Sequence, residues 1–291
     1  MTNGLELVTG GFRSEGRHLL FANSEWDKTE VENPALERCV FANVGMRRTR
    51  FKAGRIQHSR FERCYLREAG FVGVDLTGTA FVDCNLRHAS FERSTLDYVT
   101  FQNCELDDLD ILDNLPTRPN MRRHLLHTLR NNAAQTGNRF DEVRLLAAEL
   151  DAERAELYAT FTGATDYFRT KPTHVRVKAF GRWLGHLVQV RVWGYGLRFW
   201  ILARTAALVV TGAALLIWAA GFNYQVSAAC PPRSLTLAES CFLSATTFST
   251  VGGANYIPMD WLGGLVIGIE SIAGAGFVGL LAAVVYRKIS R

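Results

Sequence analysis

Ala69-Gly70-Phe71-Val72-Gly73-Val74-Asp75-Leu76-Thr77-Gly78-Thr79-Ala80-Phe81-Val82-Asp83-Cys84-Asn85-Leu86 sets a large apolar residue at every fifth position and a slim residue two places before each. The beat extends without a break in both directions. Towards the N-terminus it runs through Leu66, Phe61, Ile56, Phe51, Met46, Phe41, Leu36, Val31, Trp26 and Phe21, and towards the C-terminus through Phe91, Leu96, Phe101, Leu106 and Ile111. The slim register holds Cys39, Val44, Thr49, Gly54, Ser59 and Cys64 on one side, and Ala89, Ser94, Val99 and Cys104 on the other. Neither the helical period of 3.6 nor the strand period of 2 yields a beat of five. A fixed period of this kind marks stacked units that share one continuous core.

Segments such as Ala89-Ser90-Phe91-Glu92-Arg93 and Cys104-Glu105-Leu106-Asp107-Asp108 resemble the pentapeptide-repeat family. The resemblance implies a right-handed quadrilateral β-helix over residues 21–115, with four pentapeptides per coil and about four to five coils. Residues 1–20 would form an N-terminal cap, joined by the weak repeats around Trp26 and Val31. Four of the six cysteines fall in the slim inward register, so they read as small apolar fillers rather than metal ligands or disulfide partners. His58 and His88 fall at outward positions and read as solvated. Arg47, Arg48, Arg50, Lys52, Arg55, Arg60, Arg63 and Arg67 make the first half of the solenoid basic, which argues against a DNA-mimicking acidic face. Binding of a cytoplasmic protein partner is the expectation for this region.

Pro116 and Pro119 end the repeat. A helical hairpin over 116–165 follows, with one helix from Met121 to about Ala134 and a second from an Asp141 cap to about Phe161. Val143, Leu146, Leu150 and Leu157 give the second helix an apolar stripe that fits the solenoid or another subunit. Residues 166–200 form a basic interfacial segment. From Tyr167 to Arg204 the chain carries Arg169, Lys171, Arg176, Lys178, Arg182, Arg191, Arg198 and Arg204 with no acidic residue. That block precedes a membrane-length apolar run, so membrane lipid is preferred over nucleic acid as its partner. The formal net charge of the 291 residues is only +5, so it is the placement of the charge that carries this reading.

Residues 201–291 read as an all-α two-transmembrane module. The expected spans are 201–222 and 262–286, with Arg204 at the edge of the first and Arg287, Lys288 and Arg291 after the second. Met1–Gly11 lacks the basic start and apolar core of a signal peptide. Both termini are therefore expected in the cytoplasm, with the protein in the inner membrane. Between the spans, residues 235–248 form a short apolar helix and 249–258 a glycine-bearing return, tolerated at membrane depth only where it is enclosed or lines a watery path.

Here Thr250-Val251-Gly252, Pro258, Gly274 and Gly279 resemble the two-transmembrane potassium channels, aligned without a gap to the filter, the following proline and the two inner-helix glycines. Gly194-Tyr195-Gly196-Leu197-Arg198-Phe199-Trp200 resembles the entry to the first span in bacterial pentapeptide-repeat channel proteins. The resemblance implies a homotetramer conducting a monovalent cation, chiefly potassium, through backbone carbonyls of Thr250, Val251, Gly252, Gly253 and Ala254. Thr246, Thr247, Ser249, Asn255 and Glu270 would support the filter, and Gly274 and Gly279 would serve as a gating hinge. Gly253, Ala254 and Asn255 depart from the family's aromatic, glycine and aspartate, which implies weakened selectivity.

Glu270 is the one carboxylate inside a span and is a functional candidate on that ground. It is expected to bond Thr246, Thr247 or Asn255, with a cavity-facing cation site as the other reading. Cys230 and Cys241 lie on the outer side and are candidates for a disulfide, with simple packing of Cys241 as the alternative. No catalytic triad, phosphate loop, metal-ligand set or cofactor motif appears, so an enzyme is not expected. The rival class is a non-conducting, membrane-anchored scaffold that binds a protein through its solenoid.

Overall fold

Phe21, Phe41, Phe61, Phe81 and Phe101 lie one above another, each paired in parallel register with the residue twenty places on. Their rings stack at 4.4–5.3 Å and within 12° of parallel. A second stack, Phe51, Phe71 and Phe91, meets the first edge-on, with Phe61 and Phe71 at 6.4 Å and 81°. This is the geometry that favours aromatic pairs beyond the area they bury. The computed structural model describes residues 5–8, 11–107, 109–192, 194, 199–225, 231–249 and 256–289. It forms two compact units, Met1–Trp183 and Leu184–Arg291.

The first unit begins with a β-solenoid of about five turns. Its longest sheet stacks six short strands, Glu6–Leu7, Leu19–Ala22, Val40–Ala42, Arg60–Glu62, Ala80–Val82 and Thr100–Gln102. The ladder therefore starts before residue 21. Glu6 and Leu7 already pair with Leu19 and Leu20, and Phe12 stacks on Phe21 at 5.8 Å, so these residues extend the stack. Cys39, Cys64, Cys84 and Cys104 are buried free thiols, as their slim register requires. Burial pushes the Cys39 thiol up, which keeps it protonated and unreactive. His58 and His88 are exposed, and His88 pairs with Asp107 at 3.0 Å.

The square cross-section is made at the corners. Sixteen non-glycine residues from His18 to Asn103, all two places after an inward position, have φ between 43° and 59°. The left-handed conformation costs about 1–2 kcal/mol for a residue with a Cβ. Most corners recover a ladder hydrogen bond to the next coil. Asn23, Asn43, Arg63 and Asp83 donate their N–H to Ala42, Glu62, Val82 and Gln102 at 2.9–3.0 Å. Asparagine and aspartate are frequent there because they tolerate this conformation best.

The last coil has no successor, and side-chain amides take its place. Asn132 accepts from Cys104 N at 2.7 Å and donates to Cys104 O at 2.8 Å. Gln135 accepts from Asn103 N at 2.9 Å, and Asn114 from Arg93 N at 3.0 Å. Asn114 directly follows α1 (Leu109–Asp113), Asn132 and Gln135 belong to α2 (Pro119–Gln135), and α3 (Arg139–Thr162) packs behind them. Asn132→Ala is expected to cost about 1–3 kcal/mol, because a buried N–H and C=O lose their partner. Urea unfolding of the full chain followed by circular dichroism checks this, with Asn132→Asp, which keeps only an acceptor, falling between the two.

Pro119 opens α2, where its missing N–H is harmless. Asn138, not Asp141, caps α3, and its side chain accepts from Asp141 N at 3.3 Å. The hairpin docks on the solenoid, since Leu125, Leu126, Leu129, Ala133, Leu145 and Ala152 share its core. The packed stripe of α3 runs through Leu145, Glu149, Ala152 and Leu157; Leu157 belongs to the expected stripe, whereas Val143, Leu146 and Leu150 are only partly buried. Arg130 and His127 of α2 hold Glu149 at 2.7 and 2.9 Å, which sets that rotation.

After α4 (Asp166–Arg169), the basic segment forms α5 (Thr173–Val192). Val177, Leu184 and Val188 make an exposed stripe along it, spaced to share one helical face. Several of the cations are held within the protein. Arg176 donates to Phe161 O at 3.0 Å, Arg182 to Glu153 at 2.6 Å, and Lys171 sits over the Phe168 ring at 5.0 Å.

Candidate functional site

Among the described residues, two helices are long and apolar enough to cross a membrane, Phe199–Ala220 and Trp261–Tyr286. They correspond to α6 (Phe199–Ala220) and most of α8 (Trp261–Ile289). Between them lies α7 (Leu237–Phe248), twelve residues long and too short to span. Its start is fixed by a capping box. Thr236 accepts from Glu239 N, and Glu239 accepts from Thr236 N at 2.9 Å. Arg233 grips the same carboxylate at 2.5 and 3.0 Å, and together these bonds hold Glu239 down to about 2.

One face of α7 is buried, through Ser240, Leu243, Ser244, Thr247 and Phe248, at the i, i+3, i+4, i+7, i+8 spacing of a packed helix. It meets α8 at Glu270, which contacts Ser244, and at Gly274, which contacts Phe248. At Gly274 an added Cβ would lie 2.0 Å from Phe248 O, so the two backbones touch. The opposite face of α7 leaves Cys241 and Phe242 exposed.

Above the helices, Asn223–Gln225 pairs antiparallel with Arg233–Ser234 on one side and Ile257–Pro258 on the other. Asp260 accepts from Asn223 N at 2.8 Å, and Met259 N donates to Asn223 O at 3.0 Å. Tyr224 sits fully buried at the centre of this small sheet. The clamp ties Pro258, where the 249–258 segment ends, to the end of α6.

The sequence candidates divide accordingly. Thr250, Val251, Gly252, Gly253, Ala254, Asn255 and Cys230 lie outside the described residues. Thr246 spends its hydroxyl on its own helix, 2.9 Å from both Phe242 O and Leu243 O. Ser249 is exposed and donates to Thr246 O at 3.1 Å. Thr247 is buried, and its hydroxyl finds no partner among the described residues. Glu270 is 3 % exposed, and its partner is Ser244, neither Thr246 nor Thr247. Ser244 faces α8 while Thr246 is turned away by about 200° of helix, which accounts for the difference. Gly274 is a close-packing position, and Gly279 has open space around it. Cys241 is a free thiol. Arg204 reaches back to Arg191 O at 3.0 Å, the direction expected of a cation at the edge of a span.

Ser244 and Tyr224 were not singled out by the sequence reading. The signal for Ser244 was there, because Ser240, Ser244 and Thr247 form a polar stripe at i, i+4, i+7 in an otherwise apolar helix. Tyr224 carried none, since a single tyrosine between spans reads as an interfacial residue.

Comparison with protein families matches residues 34–115 to the pentapeptide repeat region. The solenoid is a pentapeptide-repeat region. Comparison with curated proteins returns no match.

Proposed function

We propose that four copies of the chain assemble into a potassium-channel-like cation pore in the inner membrane, with both termini and the solenoid in the cytoplasm. The observation that carries this reading is α7, a half-length helix packed by one face against α6 and α8 and followed directly by the glycine-bearing 249–258 segment. Its C-terminal carbonyls carry partial negative charge, which attracts a dehydrating cation. Backbone carbonyls of Thr250, Val251 and Gly252 would replace the ion's water, a ring from four subunits at each level. Gly253, Ala254 and Asn255 in place of the family's residues favour a looser upper filter and weaker discrimination between potassium and sodium. The exposed face of α7 and the bare faces of α6 and α8 are the surfaces that other copies and lipid would cover.

Purified protein in liposomes is expected to pass monovalent cations down a gradient, and Gly252→Pro is expected to abolish that flux without unfolding the solenoid. A wild-type protein that assembles yet passes no ion would overturn the pore and leave a membrane-anchored scaffold. Reversal potentials under mixed potassium and sodium gradients then measure the selectivity.

A further inference from the structure

The hydroxyl of Ser244 stands between two oxygens from two other helices. Its Oγ is 2.8 Å from Val210 O of α6 and in hydrogen-bond contact with Glu270 Oε1 of α8. A serine hydroxyl has one hydrogen to give, a backbone carbonyl has none, and an ionised carboxylate has none. With Glu270 ionised, two acceptors compete for one proton and one of the two contacts sets lone pair against lone pair. With Glu270 protonated, every proton is used once: Glu270 donates to Ser244 Oγ, and Ser244 donates to Val210 O.

We propose that Glu270 is held as a neutral carboxylic acid, the head of a proton relay Glu270–Ser244–Val210 that ties α8, α7 and α6 together one turn before the end of α7. Glu270 is a positioning residue in this arrangement, because it acts on the 249–258 segment through α7. Ser244 precedes Phe248 by four residues, and the Phe248 carbonyl abuts Gly274. The relay and that contact fix the α7 axis at two points on one face.

The surroundings agree with a neutral acid. Glu270 is buried, its Oε2 has no partner among the described residues, and no lysine, arginine or histidine among them pairs with it. On α6 the nearest cation in sequence, Arg204, bonds Arg191 at the other end of the span. On α7, Glu239 is committed to Arg233. On the α8 side, Asp260 accepts from Asn223, and from the outer sheet Tyr224 presents a buried phenol with no partner among the described residues. An unpaired carboxylate in such a place is costly.

The test is isotope-edited infrared spectroscopy of the full-length protein in liposomes at neutral pH. A protonated-carboxyl band is expected in the wild type, lost in Glu270→Gln, shifted in Ser244→Ala, and unchanged when potassium is exchanged for sodium. Assembly of the wild type is expected to weaken at alkaline pH as Glu270 ionises, and Glu270→Gln, whose amide can donate to Ser244 as the acid does, is expected to assemble normally and to lack that sensitivity. Absence of the band at neutral pH overturns the proposal. So does a band that disappears on adding monovalent cation, which would assign the site to a metal ion instead. Should Glu270→Gln fail to assemble, titration of the wild-type band against that of Ser244→Ala decides, since only a relay partner shifts it. None of these readouts requires conduction, so they can fail while the pore reading stands, and the reverse.

Discussion

Phe61→Ala is expected to destabilise the solenoid by about 3–5 kcal/mol, the range for emptying a fully packed phenylalanine site. Phe61 is fully buried, stacks on Phe41 at 4.4 Å and on Phe81 at 5.0 Å, and meets Phe71 edge-on. The substitution breaks two stacks and one edge contact at the middle of the ladder, not at an end. In a solenoid each coil contacts only its neighbours, so a central gap weakens both halves. Collapse of the cavity is resisted because the parallel ladder fixes the spacing between coils. Since domains are stable by only about 5–15 kcal/mol, this one change consumes a large fraction of the margin. Chemical denaturation followed by far-ultraviolet circular dichroism, or protease resistance of the N-terminal unit, measures it. Tyr65→Ala, at a half-exposed position on the same coil, is the control and should change little. A Phe61→Ala protein with the wild-type midpoint would mean that the phenylalanine stacks do not hold the coils together.

The five-residue beat made the solenoid legible because no other backbone geometry repeats at that interval, and every inward residue had already declared itself by size. The ends were less legible. Glu6–Leu7 joins the ladder without an inward phenylalanine to announce it. Asn132 and Gln135 read as ordinary polar residues on a helix, and only the unpaired edge of the last coil gives them a task. A capping amide is chosen by what lies across from it, and one sequence read alone does not carry that information. The spans were legible from apolar length, and α7 from its apolar run and its position between them, whereas its Thr236–Glu239 capping box was not read. The three-stranded clamp was not, because strands of two or three residues have no period to detect. The burial of Glu270 was expected, but its partner depended on the rotation of α7. That rotation follows from the close approach at Gly274.

Gly274→Ala is expected to be sharply destabilising and Gly279→Ala close to neutral, although both glycines sit in the same helix and match the same pair in the channel resemblance. At Gly274 the new methyl would lie 2.0 Å from Phe248 O, 2.7 Å from its carbonyl carbon and 2.9 Å from its Cα. All three atoms are backbone, so no side chain can rotate away, and α7 must move bodily. Overpacking of this kind costs about 1–3 kcal/mol where a core can yield, and here the end of the helix that precedes the 249–258 segment would do the yielding. The displacement would also strain the Ser244 contacts one turn earlier. At Gly279 nothing among the described residues lies within 4 Å, and alanine improves helix propensity by about 1 kcal/mol. A pure hinge role makes a different forecast, with both alanines stiffening α8, altering gating and leaving thermal stability untouched. Thermal unfolding of the two detergent-solubilised variants separates the accounts. A Gly274→Ala protein that melts with the wild type would remove the packing role assigned to this residue. A Gly279→Ala protein that melts well below it would mean that another copy of the chain occupies the space beside that glycine.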